Sequence, residues 1–376
     1  MRALLLLLAL TTTAQAQWTL LQSPTTADLR GIDNAGHGIL WASGTNGTVL
    51  RSEDAGYLWQ RCTIPPGSEH LDFRGIQAFD ANTAIVMSSG KGDQSRLYKT
   101  TDGCQTWTLL FTNPDKDGFW DALVLDNTQV PRNKPAALLV GDPVNGKFPI
   151  WGVVLGAEVP FVYPFPYRPR AHKSESIFAA SNSSIFVHGG YWIATGGEGG
   201  ARVIREVSHG ADELSWTTLP SSPVPVGSHT SSSGIFSIGF AEAPNPPPHD
   251  WEIHLSNYGV AVGGDYLKPN DSTRTAAFTT NGGKTWHAAA TPPHGYRSAV
   301  AYDAPTKTWI TIGPNGTDIS TDDGRNWHAL RPDPKSNEPP DADQHWNALS
   351  LPYAVGPHGR IGRLNPTALK PTPPKP

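Results

Sequence analysis

The chain has 376 residues, a length that allows one large domain or two of ordinary size. It contains 38 Gly, 35 Pro and 13 Trp but only 16% charged residues, which is typical of a turn-rich, aromatic-rich all-β protein and not of a disordered one. The formal net charge of -4 gives no support for nucleic acid or an acidic membrane surface as partner. The sequence has no dinucleotide fingerprint, phosphate loop or zinc-spaced Cys/His cluster, so we expect no cofactor and no metal.

The first residues have the pattern of a secretory signal peptide over 1–16. Met1-Arg2 precedes an apolar run from Ala3 to Leu10, and Ala14-Gln15-Ala16 has the small-residue spacing of a cleavage site. The apolar run is too short to span a bilayer, so no membrane span is expected. The sequence therefore predicts cleavage near Ala16-Gln17, a mature chain that begins at Gln17, and a periplasmic or secreted protein.

An eight-residue pattern occurs four times in the chain. Ser or Thr comes first, Asp third, Gly fifth and Trp eighth, although Cys104 takes the Gly place in the second copy and Asn281 the Asp place in the third. The Asp side chain can accept backbone N–H groups, Gly supplies a positive φ, and Trp enters the neighbouring core. The pattern predicts a tight turn between two strands of a repeat protein. Its diagnostic residues are Ser52, Asp54, Gly56 and Trp59; Thr100, Asp102 and Trp107; Thr279, Asn281, Gly283 and Trp286; and Ser320, Asp322, Gly324 and Trp327.

In chain order, strand and turn signals predict six complete four-stranded units, or blades. They run from Leu29 to about Gln60, Phe73 to about Leu110, Phe119 to about Val162, about Ser176 to Leu219, Gly234 to about Ala288 and Tyr296 to Leu330. Leu214 to Leu219 resembles the strand from Thr106 to Leu110 and is predicted to be the outer strand of the fourth blade. Six hydrophobic strands end in Gly, which suits a hairpin position with positive φ. These glycines are Gly44, Gly141, Gly196, Gly263, Gly313 and Gly356.

The two ends of the chain together predict a seventh blade. Gln17-Trp18-Thr-Leu-Leu21 resembles an outer strand, and its three partners are expected in the segments that begin at Asp343, Tyr353 and Arg360. The N-terminal strand would close the ring and leave no open sheet edge. The predicted fold class is therefore all-β, a seven-bladed β-propeller closed by the N-terminal strand, in one domain over residues 17–364. Residues 365–376 are expected to be a disordered, Pro-rich tail.

Alignment of the predicted inner strands gives candidate ligand-binding residues at the mouth of the central channel. One column contains Arg30, Arg74, Trp120, Phe178, Phe236, Arg297 and Trp346, and the next contains Asp121 and Asn347. Three Arg side chains on one face suit a carboxylate or phosphate, because a guanidinium offers a planar, bidentate fork. The alternative is that each Arg pairs with groups between blades. The loops expected on the same face carry Lys91, Asp93, Arg96, Asp142, Glu198, Arg202 and Asp265.

Cys62 and Cys104 are the only two cysteines. An even pair in an oxidising compartment is compatible with a disulfide. Neighbouring outer strands could bring the two residues together, but two separate buried thiols are equally compatible with the sequence.

The eight-residue pattern resembles the Asp box, or bacterial neuraminidase (BNR) repeat, of sialidase-like β-propellers. The whole mature chain resembles the family of the photosystem II stability/assembly factor, on the four boxes, Leu29-Arg-Gly-Ile32, Phe73-Arg-Gly-Ile76 and the segment from Trp41 to Leu50. It looks closest to the non-photosynthetic bacterial branch of that family. The resemblance implies a seven-bladed, non-catalytic binding or assembly scaffold with an arginine-rich patch, for which Arg30, Arg74 and Arg297 are the candidates.

Two functions are therefore open. The first is an exported, monomeric scaffold whose charged channel mouth binds a protein or an anionic or glycan ligand. The second is a glycoside hydrolase or lyase, for which Asp142, Glu198 and Asp265 could supply acids. The sialidase Arg-Ile-Pro-type motif is absent, and no Tyr stands beside a Glu on an inner strand. No catalytic residue is assigned.

Overall fold

The computed structural model describes residues 16–126, 136–155, 161–187, 190–209, 216–242 and 255–369. In these ranges the regular structure is antiparallel β, with three short 3-10 helices at Gly92–Gln94, Pro357–Gly359 and Pro366–Leu369. None of the helices found there is long and apolar enough to cross a bilayer. The predicted signal peptide lies outside the described residues except for Ala16, and so do residues 370–376 of the predicted tail.

Seven four-stranded blades form a closed ring, in which the inner strand of each blade contacts those of its two neighbours. The seven-bladed propeller predicted from the sequence is confirmed. The first three blades, each from inner to outer strand, are Leu29–Gly36, Ile39–Gly44, Val49–Ser52 and Gln60–Arg61; Phe73–Ala78, Ala84–Ser88, Arg96–Thr100 and Thr108–Thr112; and Trp120–Asp126, Ala136–Gly141, Ile150–Val154 and Phe161–Pro164.

The remaining blades follow the same order. They are Ile185–Val187, Tyr191–Ala194, Arg202–Arg205 and Ser221–Pro223; Ser233–Glu242, Leu255–Asp265, Ala276–Thr279 and His287–Ala288; Ala299–Asp303, Thr308–Gly313, Gly316–Ser320 and His328–Leu330; and Ala348–Ser350, Tyr353–Val355, Ile361–Leu364 and Trp18–Leu21. Two short strands, Glu175–Ser176 and Gly196–Gly197, extend the inner edge of the fifth blade's sheet. A separate hairpin pairs Val207–His209 with Trp216–Thr218.

The N-terminal strand closes the ring, as predicted. Trp18 pairs with Leu364, and Leu21 pairs with Ile361, in an antiparallel ladder. The indole of Trp18 is buried and lies 4.9 Å, centroid to centroid, from the indole of Trp346 on the same blade. The closing strand is therefore held by backbone hydrogen bonds and by an aromatic contact that buries two large side chains.

The hydrophobic core lies between adjacent blades. Leu29, Leu40 and Leu50 of the first blade are fully buried against Tyr353 and Val355 of the seventh. Because middle strands are covered on both faces, their sequences are almost continuously apolar. This explains why runs such as Ile39–Gly44 read as buried strands without alternation of polar and apolar residues.

The four eight-residue repeats form one turn, always between the third and outer strands of a blade. In the first copy, Ser52 Oγ accepts the Gly56 N–H (3.0 Å) and Asp54 Oδ1 accepts the Leu58 N–H (2.9 Å). The same pair of bonds occurs in the other three copies. The fifth residue has a φ of 84° at Gly56, and Cys104 adopts 65° in the same place despite its side chain. The four Trp residues are all buried.

Cys62 and Cys104 form a disulfide, with their Cα atoms 5.2 Å apart. The bond joins the end of the first blade's outer strand to the turn of the second blade. Thr63 Oγ donates to the Cys104 carbonyl (2.9 Å), so the two blades are also linked beside the disulfide.

The six glycines that end hydrophobic strands have a different physical cause from the predicted one. None of them has a positive φ. At Gly313 a Cβ would lie 2.3 Å from the Tyr296 carbonyl oxygen, and at Gly356 it would lie 1.9 Å from that of His345. At five of the six positions a side chain is excluded because the backbone that leads into the inner strand of the same blade passes directly against the glycine, whereas at Gly196 the neighbour is Gly234 of the fifth blade.

The fourth blade differs most from the prediction. Its inner strand begins at Ile185, not near Ser176, and its outer strand is Ser221–Pro223, because Trp216–Thr218 pairs within the separate hairpin. The C-terminal boundary also differs. Pro366–Leu369 is helical and Leu369 is buried, so the ordered chain extends beyond the predicted end at Leu364. In blade four, tertiary pairing overrides a local sequence match that lacks the eight-residue turn.

Candidate functional site

Inner-strand residues of blades one, two, three and five converge on a pocket of about 510 Å³ at one mouth of the central channel, here called the mouth pocket. It is lined by charged groups on one side and aromatic rings on the other. The lining residues are Arg30, Arg74, Phe119, Asp121, Asp142, Ser176, Ile177, Phe178, Ala179, Ala180, Ser231, Phe236, Tyr266 and Tyr296.

β-Bulges explain why these side chains enter the channel. In blades one, two, three and five, the ladder between the inner strand and its neighbour shifts register at Arg30, Arg74, Asp121 and Phe236, respectively. The residue before each shift is fully buried: Leu29, Phe73, Trp120 and Ile235. A bulge places one residue outside the ladder and redirects its side chain. The four bulged residues all line the mouth pocket.

Arg30 and Arg74 share a single carboxylate. Arg74 Nε donates to Asp72 Oδ2 (2.8 Å), whereas Arg30 Nε lies 3.9 Å from Asp72 Oδ1. Arg74 Nη1 also donates to the Ala179 carbonyl (3.0 Å). Within the described ranges, Arg30 Nε is buried without a hydrogen-bond partner. The two side chains are 30% and 27% exposed, so this side of the pocket offers two guanidinium groups to a ligand against one negative charge.

Two carboxyl groups of the third blade lie in the same pocket. Burial raises the pKa of Asp121 well above its ordinary value, and the charge of Asp142 raises it further. Burial also raises the pKa of Asp142 to about 6, against the opposing effect of the Ile177 N–H, which donates to its Oδ1 (3.0 Å). Burial therefore favours the neutral form of Asp121, and Asp142 becomes charged as the pH rises through about 6. Asp121 Oδ2 is buried with no hydrogen-bond partner among the described residues.

Aromatic rings form the opposite wall. Phe178 and Phe236 stack with centroids 4.0 Å apart and an interplanar angle of 14°. Tyr296 meets Phe236 edge-on at 4.7 Å, and the half-exposed Tyr266 lies 6.1 Å from the same ring. Burial raises the pKa of Tyr296, so its hydroxyl stays protonated. The pocket can therefore bind apolar groups and hydrogen-bonding groups side by side.

Arg297 does not belong to this site, contrary to the prediction. Its side chain is fully buried, and its Nε donates to Asp318 Oδ2 (2.8 Å). Nη1 donates to the Tyr296 carbonyl (2.7 Å) and to Asn315 Oδ1 (2.5 Å). The three guanidinium groups do not converge, because Arg297 occupies the buried place that Leu29 has in the first blade.

Contacts inside the propeller also engage three other predicted ligand-binding residues, Trp120, Trp346 and Asn347. Both indoles are fully buried; Trp120 stacks on Phe111 at 5.6 Å, and Trp346 packs on Trp18. Asn347 Nδ2 donates to the Leu29 carbonyl (2.8 Å) and so ties blade seven to blade one. The predicted column was one residue out of register in blades three, six and seven, and a one-residue shift exchanges the two faces of a strand. The Gly at the end of the second strand gives the correct register and was visible in the sequence.

The predicted loop residues are mostly engaged elsewhere. Lys91 pairs with Asp117, Arg96 donates to the Gly67 carbonyl, and Arg202 pairs with the buried Glu175. Asp265 is buried and accepts the Leu267 N–H, whereas Glu198 is exposed. Of the seven loop residues proposed from the sequence, Asp142 lines the mouth pocket. In the ranges that the structure describes, no group of three or more His, Cys, Asp or Glu residues could hold a metal ion.

Comparison with known proteins gives matches among solved structures. No family model matches the sequence. No curated protein matches it either. Among solved structures, YCF48 from Cyanidioschyzon merolae superposes with a TM-score of 0.59 at 18% identity, over 94% of this chain and 100% of that one. In structure, this chain resembles YCF48.

Two further structures support the likeness. YCF48 bound to D1 peptide gives a TM-score of 0.55 at 15% identity, over 93% of this chain and 96% of that chain. The WD40 β-propeller domain of Doa1 gives 0.50 at 11% identity, over 94% and 99%. The predicted resemblance to the photosystem II assembly factor is thus confirmed in structure, and at these identities it establishes the fold alone.

Proposed function

We propose that this protein is an exported, non-catalytic scaffold that binds a peptide segment of a partner protein in the mouth pocket. The observation that carries the proposal is the pair Arg30 and Arg74, which lines the mouth pocket and shares the single carboxylate of Asp72. The signal peptide predicted over residues 1–16 supports export. A protein of the same fold, YCF48, forms a complex with a peptide, which supports a peptide as the occupant.

The composition of the pocket fits a peptide better than a small rigid ligand. The guanidinium groups can donate hydrogen bonds to a carboxylate or to backbone carbonyl groups of a peptide. The rings of Phe178, Phe236 and Tyr266 can cover its apolar side chains. Burial favours the neutral form of Asp121, which offers a hydroxyl donor and a carbonyl acceptor to backbone groups. Arg and Tyr are also the residues that most often dominate the energy of protein–protein contacts.

Site-specific photo-crosslinking tests this proposal. A photoreactive phenylalanine replaces Tyr266, which is half-exposed at the pocket, and as a control replaces Tyr57, which is 65% exposed on the outer turn of the first blade. After irradiation in an extract of the cell envelope, mass spectrometry identifies the attached peptides. The proposal expects one recurrent segment from the Tyr266 position, lost in Arg30→Gln/Arg74→Gln and retained in Arg61→Gln. Equal labelling in all variants would contradict it.

Asp121 and Asp142 keep a second candidate function open, that of a glycoside hydrolase. They place two carboxyl groups with raised pKa values in one pocket, and a pair of carboxyl groups is what glycoside hydrolysis requires. Hydrolysis of any member of a panel of acidic and neutral glycans, lost in both Asp121→Asn and Asp142→Asn, would favour this function. Release of no product by the wild type would favour the scaffold.

A further inference from the structure

A carboxylate lies at the nitrogen of the residue that the sequence predicts as the mature N-terminus. Glu338 Oε2 accepts the Gln17 N–H (2.9 Å), and Glu338 Oε1 accepts the Trp18 N–H (2.7 Å). Gln17 and Glu338 are 321 positions apart in the sequence. Gln17 is held from its other side, because its carbonyl accepts the Asn365 N–H (2.8 Å).

The loop between blades six and seven is folded so as to present Glu338. Asp333 Oδ1 accepts the Lys335 N–H (2.9 Å), and Ser336 Oγ donates to the Asp333 carbonyl (2.7 Å). The Glu338 N–H then donates to Ser336 Oγ (3.3 Å). These bonds fix the turn from Asp333 to Glu338 and place its last carboxylate at Gln17.

The charges around Glu338 favour a cation. The loop lines a cleft of about 760 Å³, here called the loop cleft, together with His294 and Asp343. Asp333, Glu338 and Asp343 supply three carboxyls there, against Arg331 and the ring of His294. Burial raises the pKa of Asp343, and the charge of Glu338 raises it further. Asp343 Oδ1 is buried and has no hydrogen-bond partner in the described part of the chain.

We propose that Glu338 is a binding site for the α-ammonium group of Gln17, which forms when residues 1–16 are removed, and that this ion pair protects the terminal glutamine from cyclisation. In the structure the Gln17 nitrogen is a neutral peptide nitrogen that follows Ala16. Cleavage at that bond leaves the same nitrogen as a cation at the Glu338 carboxylate. The proposal rests on the predicted cleavage site and is independent of peptide binding at the mouth pocket.

The chemistry that the ion pair opposes is intramolecular. In a chain that begins with glutamine, the lone pair of the neutral α-nitrogen attacks the side-chain amide carbon. A new C–N bond closes a five-membered lactam, the original C–NH₂ bond breaks, and the amine proton leaves with the departing ammonia. An ammonium group has no lone pair. A neighbouring carboxylate favours the charged form and raises the pKa of the α-amino group above its ordinary range of about 7.7–8.0.

The protection by Glu338 can be measured as the rate at which Gln17 forms the lactam. If Glu338 raises the pKa of the amine by about one unit, the neutral fraction near pH 7 falls about tenfold and cyclisation slows by the same factor. The chain is expressed with its own leader, exported and purified, and the N-terminal peptide is followed by mass spectrometry. Lactam formation appears as the loss of one ammonia from the peptide that begins at Gln17.

Three variants separate the ion pair from a general effect of folding. Glu338→Gln should cyclise about tenfold faster than wild type at pH 7, whereas the exposed Glu69→Gln should not differ from wild type. In a chain with one extra Met before Gln17, the α-amino group belongs to the Met and no longer lies at Glu338, so its pKa should be normal. Glu338→Gln can also weaken the closure of the propeller by the N-terminal strand. The rate of lactam formation is therefore measured against pH for the folded wild type and for the urea-unfolded chain, and the folded protein should have the higher midpoint. Equal midpoints, equal rates, or a mature chain that begins elsewhere would overturn the proposal.

Discussion

Replacement of Arg297 should cost much more stability than replacement of Arg74, although the sequence predicts both as members of one anion site. Arg297→Met removes a fully buried guanidinium, and the His294 ring at 2.8 Å is then the side-chain partner left to Asp318, which is 2% exposed, among the described residues. Removing one partner of a buried ion pair costs about 3–5 kcal/mol, and the His294 contact that remains puts the expected loss near the lower limit, at about 3 kcal/mol. Arg74→Gln changes a partly exposed pair, for which the cost is about 0.2–1 kcal/mol.

Urea unfolding followed by tryptophan fluorescence measures both losses, provided that the slope of each transition stays unchanged. The double variant Arg297→Met/Asp318→Leu should recover most of the stability lost in the single variant, because a buried ion pair can be replaced by apolar groups at little net cost. A loss below about 1 kcal/mol for Arg297→Met would refute the structural role assigned to this residue. A double variant less stable than Arg297→Met would refute the reasoning about the unpaired carboxylate.

Three further predictions concern the frame of the propeller. Asp322→Ala removes the acceptor of the Asn326 N–H (2.9 Å) and should cost about 1–3 kcal/mol in the same assay while peptide crosslinking at the mouth stays unchanged. Burial raises the pKa of Asp33 from 3.8 to about 6, so the folded state holds a proton that the unfolded state has lost, and the unfolding free energy should fall as pH rises through this window; Asp33→Asn should flatten that fall. Reduction of Cys62–Cys104, which are 42 residues apart, should lower stability by about 4 kcal/mol, whereas an unchanged urea midpoint would contradict a constraint on the unfolded chain.

The propeller fold could be predicted from the sequence because local sequence patterns specify its turns and strands. The Ser52–Trp59 turn contains its own hydrogen-bonding partners, and a copy of it elsewhere must fold in the same way. Closure by Trp18–Leu21 followed from counting strands, since an unmatched outer strand at one end requires partners at the other. The prediction for blade four is wrong because Trp216 matches an outer strand locally but pairs within its own hairpin.

The site was less accessible because it depends on register and on distant contacts. Arg30 and Arg297 both lie near the start of an inner strand. A bulge turns Arg30 into the channel, whereas Arg297 is one residue out of that register and is buried. Tyr266 reaches the pocket from a loop that no strand pattern predicts. The contact of Glu338 with Gln17 joins segments 321 positions apart, so no local pattern encodes it.

The most direct measurement is the affinity of the peptide captured at the mouth pocket, determined by titration calorimetry with the wild type, Arg30→Gln/Arg74→Gln and Arg61→Gln. A hydrogen bond to a charged group contributes about 1.5–3 kcal/mol, so loss of the pair should weaken binding at least about tenfold. Arg61, exposed on the outer strand of blade one, should have no effect. Equal affinities for all three proteins would contradict the claim that Arg30 and Arg74 form the binding site.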